Sequence, residues 1–172
     1  MLVAAMTRLR DSFTTVPDRG DWLLTAAIGA PALALMAIVG LSTGLYVLGP
    51  GDLSALPLAA LTIFFVPAIG EEAVFRGLMV PSRSEAARPV LAIALSNLVY
   101  VAWHPLEGLT FLPGARHLFT RPDFLLVTGV LGLACALVRW RTASIWPAVL
   151  LHWAAVVVWK TWLGGPALDD LG

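Results

Sequence analysis

Charge is what this chain has least of. Asp, Glu, Lys and Arg make up 13% of its 172 residues, about half of the roughly 25% usual in a soluble domain. The 11 acidic and 11 basic side chains cancel, and no basic cluster stands out, so no nucleic-acid partner is expected. A single cysteine, Cys135, excludes an internal disulfide, and among Leu and Ala it reads as a small buried hydrophobe. No internal repeat and no low-complexity tract is present. Arg8 and Arg10 are followed by Asp11, Asp18 and Asp21 without a small-residue cleavage site, so no cleaved signal peptide is expected. What the chain has instead is apolar surface. Hydrophobic residues reach 59% and the mean hydropathy is +0.84, too much to be covered in water. The expectation is an all-α, polytopic membrane helix bundle forming one domain over residues 1–172.

Five apolar segments can be marked: Trp22 to Leu48, Ser54 to Val80, Pro89 to His104-Pro105 with a continuation toward Leu112, Phe124 to Val138, and Ser144 to Leu163. Each can cross, or nearly cross, a hydrocarbon core of roughly 30 Å. Backbone groups in lipid must be satisfied within each segment, so all five should be helices. The turn residues Gly49-Pro50-Gly51-Asp52 close the first segment, and Pro81 with Ser82-Arg83-Ser84-Glu85 closes the second. Residues 1–21 form an N-terminal segment, 22–48 a first transmembrane helix and 53–163 a core of four helices. Placing the N-terminus inside puts eight of the eleven Lys and Arg on the inner side, leaving Arg116, Arg121 and Lys160 outside. That bias predicts a cytoplasmic N-terminus in a bacterial inner membrane or another energy-coupling membrane. Trp22, Trp140, Trp146, Trp159 and Trp162 lie near segment ends, as interfacial aromatics do.

An ionisable group at membrane depth is costly unless it is paired or faces a cavity. Three places qualify. In Glu71-Glu72-Ala73-Val74-Phe75-Arg76, Glu72 and Arg76 are four apart with the acid first, the better orientation for pairing. Glu71 has no base at that spacing, so burial and a neighbouring carboxylate suit it to proton transfer. A salt bridge at a helix end, with Glu71 facing headgroups, is the structural alternative. His104 shares a helix stripe with Asn97 and Tyr100, although a histidine before Pro105 can also simply cap a helix. His152 lies halfway along the fifth segment, whereas His117 sits in a polar loop with Arg116 and Arg121. Gly70, Gly77, Gly129 and Gly132 would let the helices approach closely enough for these groups to meet.

These motifs resemble those of the CPBP family, the CAAX-protease and bacteriocin-processing (Abi-type) membrane endopeptidases. Its EExxxR pattern is complete at Glu71, Glu72 and Arg76; its FxxxH is present as Tyr100-xxx-His104; its HxxxN or HxxxD begins at His152 but meets Val156. The resemblance covers about Leu56 to Leu163 and implies an intramembrane endopeptidase acting on a peptide or protein substrate, free or membrane-anchored. It implies Glu71 as general base on water, His104 as its assistant, His152 as oxyanion stabiliser, and Glu72 with Arg76 as the orienting pair. Val156 removes one oxyanion donor, worth about 10²–10³ in rate, and Asn97, Tyr100 and Trp153 are possible substitutes. No cofactor is expected. The alternative within the same family is a zinc enzyme with Glu71, His104 and His152 as ligands, although no HExxH is present and neither histidine has an evident carboxylate partner. A non-catalytic immunity or scaffold protein on a degenerate protease core is the other alternative.

Overall fold

The computed structural model describes residues 2–49, 54 and 56–166. All the named elements are helical: α1 Leu2–Thr14, α2 Arg19–Thr43, α3 Leu56–Ile63, a π-helical continuation π1 Phe64–Leu78, α4 Val90–Thr110, a short 3₁₀ turn Pro113–Ala115, α5 Arg116–Phe119, α6 Pro122–Thr142 and α7 Trp146–Trp162. Among the described residues, four spans are long and apolar enough to cross a bilayer: α2, α3 with π1, α4 and α6. At 17 residues, α7 stands at the lower limit for a fifth. The expected membrane bundle is therefore observed. Its outer surface carries large apolar side chains such as Ile38, Leu58, Val66, Leu91 and Leu98, a surface suited to lipid. The expected turn at Gly49-Pro50-Gly51-Asp52 falls mostly outside the described residues.

Helix boundaries follow local chemistry. Asp18 and Asp21 cap α2 reciprocally: the Asp21 amide donates to Asp18 Oδ1 at 2.8 Å and the Asp18 amide to Asp21 Oδ2 at 3.0 Å. This box starts the helix at Arg19 rather than Trp22. Gly44, in the left-handed conformation with φ 71°, ends it sooner than the apolar run suggested. The following segment turns back and pairs with the end of α7, Val47 donating to the Leu163 carbonyl at 3.1 Å and Gly49 to that of Trp162 at 3.1 Å.

The second span changes register. Pro67 lies inside it, lacks an N–H and would strike the carbonyl four residues earlier in an α-helix. The ladder shifts to i→i+5 from Phe64 and keeps that wider turn through both glutamates to Leu78. Such a long π segment was not foreseen from the apolar pattern.

The N-terminal helix was also not foreseen, because its charges hide an amphipathic pattern. In α1, Ser12 is fully buried and Leu9 and Phe13 are half-buried, while Val3 and Met6 are exposed. Arg8 Nη1 donates to the Leu78 carbonyl at 2.8 Å, capping the end of π1, and Arg8 Nε pairs with Glu85 Oε1 at 2.9 Å. The Ser12 carbonyl accepts the Ile145 amide at 2.9 Å, the Thr15 carbonyl accepts the Ser144 hydroxyl at 2.8 Å and the Phe13 carbonyl accepts the Trp146 indole at 3.0 Å. One short helix thus ties the end of π1 to the start of α7.

Helix α6 is the centre of the bundle, with 56% of its apolar window buried against 22% in each of the other three spans. The glycines play unequal parts. A Cβ on Gly132 of α6 would collide with Asn97 Oδ1, with Tyr100 Cδ1 at 2.6 Å and with Arg76 Nη2 at 2.7 Å. One on Gly77 would meet Leu9 of α1 at 2.5 Å, and Gly129 makes ordinary contact with Val101 at 3.5 Å. Gly70 has no close neighbour from another helix; it lines the central cavity instead of a helix contact.

Candidate active site

The two glutamates of π1 part company. Glu72 is fully buried, and its Oε1 lies 3.2 Å from Arg76 Nη1 and 2.9 Å from His152 Nδ1. Arg76, also fully buried, lays its guanidinium over the Tyr100 ring, 4.0 Å from the centroid. The i,i+4 ion pair of Glu72 and Arg76 is therefore present, and it holds a third member. The carboxylate partner for His152 that was not evident in the sequence is Glu72, eighty residues away. A carboxylate only accepts, so the His152 Nδ1 carries a proton. That leaves Nε2 facing Glu71, whose Oε2 is 3.9 Å away.

Glu71 faces the other way, into a cavity of about 800 Å³. Its walls include Glu71, Tyr100, His104, Glu107, His152 and Val156 among apolar and aromatic side chains. His104 is set by α4 itself: its Nδ1 lies 3.0 Å from the Tyr100 carbonyl, which can only accept, so Nδ1–H is the donor and the second ring nitrogen is free to accept. Phe119, Phe124 and Tyr100 pack edge-on against the imidazole at 5.4, 5.5 and 5.0 Å. The ring is therefore fixed in plane as well as in tautomer. Linear counting puts Glu71 and His104 at different depths. Tyr100 bridges them, packing on Phe75 of π1 at 5.3 Å and on both histidines, while the Ser96 hydroxyl donates to the Phe75 carbonyl at 2.7 Å and locks α4 against π1.

The remaining sequence candidates separate. Tyr100 lines the cavity. Asn97 lies behind it, its Oδ1 turned to Gly132 beside Arg76, and Trp153 commits its indole N–H to the Ala60 carbonyl at 2.8 Å. Neither lines the cavity where an oxyanion donor would be needed. Trp159, expected at an interface, is a cavity wall. One functional candidate escaped the sequence reading. Glu107, half-buried, joins Glu71 and His104 in a set whose ligand-type atoms all lie within 4.8 Å of one another. The signal is His104-Pro105-Leu106-Glu107, an i,i+3 pair on one helix face, masked in the sequence because Pro105 reads as a helix end although the helix runs on to Thr110. The zinc alternative named Glu71, His104 and His152. Among the described residues the set that closes to this distance holds Glu107 in place of His152, whose Nδ1 is engaged by Glu72.

The apolar helical bundle thus gathers carboxylates and imidazoles around one cavity. A family model described as type II CAAX prenyl endopeptidase Rce1-like matches residues 53–158, well over half of the chain, and the chain belongs to that family. No curated protein and no solved structure matches it.

Proposed function

We propose that the chain is an intramembrane endopeptidase that hydrolyses a peptide bond with a water activated by Glu71 and His104, without a metal. The observation that carries this reading is the convergence of Glu71, His104 and His152 on one cavity, while Glu72 and Arg76 brace the set from behind. Glu71 takes a proton from the water as it attacks the scissile carbonyl. The free nitrogen of His104 accepts a hydrogen bond from the same water and fixes its lone pair toward the carbon. His152 stabilises the oxyanion through Nε2–H, which requires both ring nitrogens protonated, one toward Glu72 and one toward the cavity. Burial of these groups among aromatic side chains excludes bulk water and strengthens each interaction.

The apolar walls, including Met36, Leu45, Val66 and Val99, suit a hydrophobic or membrane-anchored peptide or protein. The chain would work in a bacterial inner or comparable membrane with its N-terminus cytoplasmic. That placement is supported by the gathering of α1, the Arg83 and Arg88 loop and the Arg139–Arg141 end of α6 at one end of the bundle, through Arg8–Glu85, Arg83–Trp140 and Trp140–Ala86 contacts. The test is cleavage of a quenched fluorescent peptide by purified protein in lipid nanodiscs. Glu71→Gln should reduce turnover to background with the fold intact, and full activity after exhaustive chelation is expected; a Glu71→Gln variant as fast as wild type refutes the reading, and loss on chelation restored by zinc favours the metal version.

Val156 favours a second reading, a non-catalytic membrane protein on a degenerate protease core, since an apolar side chain stands in the cavity wall where a donor is expected. A cellular phenotype unchanged by Glu71→Ala with His104→Ala would support it.

A further inference from the structure

We propose that Glu107 is a catalytic residue of this site, the acid that gives its proton to the leaving amine. The inference rests on the peptidase reading. Glu107 is an ionisable side chain inside an apolar span, between Leu106 and Gly108; such a group is retained when it faces a cavity and does something there. It lines the cavity, and its carboxyl lies within 4.8 Å of both the Glu71 carboxyl and a ring nitrogen of His104, room for one small molecule between the three. Three polar groups beside it are engaged: His104 Nδ1 by the Tyr100 carbonyl, His152 Nδ1 by Glu72, and Glu72 by Arg76. Two jobs remain in amide hydrolysis, removing a proton from water and delivering one to nitrogen, and two carboxyl groups face the cavity.

The step balances. Water oxygen bonds to the carbonyl carbon as Glu71 takes one of its protons, giving a tetrahedral oxyanion. Glu107, entering as the carboxylic acid, transfers its proton to the amide nitrogen as the C–N bond breaks, and the products are a carboxylic acid and an amine. Glu71 then holds the extra proton, and an incoming water relays it across the short gap to Glu107, restoring both groups. A pair of carboxyls this close, one accepting and one donating, divides labour as carboxyl pairs do when like charges cannot both be held.

The experiment compares a peptide with the activated aryl ester of the same acyl sequence, both in the presence of chelator. A phenolate leaves without protonation, so Glu107→Gln should lower kcat on the peptide by about 10²–10⁴ and leave ester turnover within a few-fold, whereas Glu71→Gln lowers both. Glu107→Asp should recover part of the peptide rate. Equal peptide turnover by Glu107→Gln and wild type, or equal losses on peptide and ester, overturns the proposal. A wild type that cleaves neither compound counts against the peptidase reading, and infrared difference spectra then decide Glu107 itself: a protonated-carboxyl band lost in Glu107→Gln is expected, and identical spectra overturn the assignment.

Discussion

Replacing Arg76 with leucine tests the bracing network behind the cavity. Glu72 and Arg76 are fully buried and 3.2 Å apart. At an effective dielectric of about 20, unit charges at that separation attract by roughly 5 kcal/mol. Removing the cation leaves the Glu72 carboxylate buried with only the His152 N–H against it, and breaking a buried pair from one side costs about 3–5 kcal/mol. Loss of the guanidinium stacked 4.0 Å over Tyr100 adds about 1 kcal/mol. For a chain of this size each kcal/mol moves the melting temperature by about 2–4 °C, so Arg76→Leu should melt roughly 8–24 °C below wild type in detergent by the same conversion. The double variant Glu72→Leu/Arg76→Leu removes both charges and should recover much of the loss, leaving an unpaired His152 N–H worth about 1–3 kcal/mol. An Arg76→Leu melting temperature within about 2 °C of wild type, a change below roughly 1 kcal/mol, refutes the reasoning. So does a double variant no more stable than the single one, because the isolated buried charge would then not be the cause.

Gly132→Ala should destabilise the bundle by about 1–3 kcal/mol through overpacking against Tyr100 and Arg76, whereas Gly70→Ala, with its nearest contact at 3.7 Å, should change stability by less than about 0.5 kcal/mol; chemical denaturation of the two variants separates them. At the α1 end, burial pushes the Glu85 carboxyl up, but the Ser82 amide and the Arg8 guanidinium outweigh it and hold the group below its ordinary 4.5. Its contribution is therefore complete above the unfolded value and is lost as pH falls through the lower, folded one. Limited proteolysis of α1 should accelerate on acidification below about 4.5, and Glu85→Gln should cleave faster already at pH 7 with a weaker acid dependence. Val156→Asn would put an amide donor into the cavity wall beside His152, and turnover should rise by up to about 10²–10³; an unchanged rate would mean that oxyanion stabilisation is complete without it.

The bundle was legible because hydropathy over twenty residues is a long-range, redundant signal, and lipid leaves the backbone few other choices. Helix ends were less legible since they turn on single side chains: the Asp18–Asp21 box and Gly44 moved both limits of α2. The π segment was invisible because apolar spacing in a lipid-facing helix is nearly uniform all round, so a change from i+4 to i+5 bonding leaves no pattern in it. Helix α1 was hidden for the opposite reason: its charges Arg8, Arg10 and Asp11 break up its apolar pattern. At the site, spacing within one helix identified the Glu72–Arg76 pair, now 3.2 Å apart. It could not supply the contact between Glu72 and His152, which depends on how α7 docks on π1.

That docking explains why adjacent glutamates can do different work. On one helix they differ only by a turn angle, and both face the same buried environment in the sequence. The difference arises from what packs against each. Arg76 and His152 close on Glu72 Oε1 from its own helix and from α7, while α4 brings the His104 imidazole and a second carboxyl within 4.8 Å of Glu71. Glu71 Oε2 lies 3.9 Å from His152 Nε2, farther than Glu72 Oε1 lies from either Arg76 or His152, because its neighbour has taken the arginine. The pair works as one unit: the ion pair of Glu72 fixes the helix face from which Glu71 projects, so loosening the first should degrade the second even where the base itself is untouched.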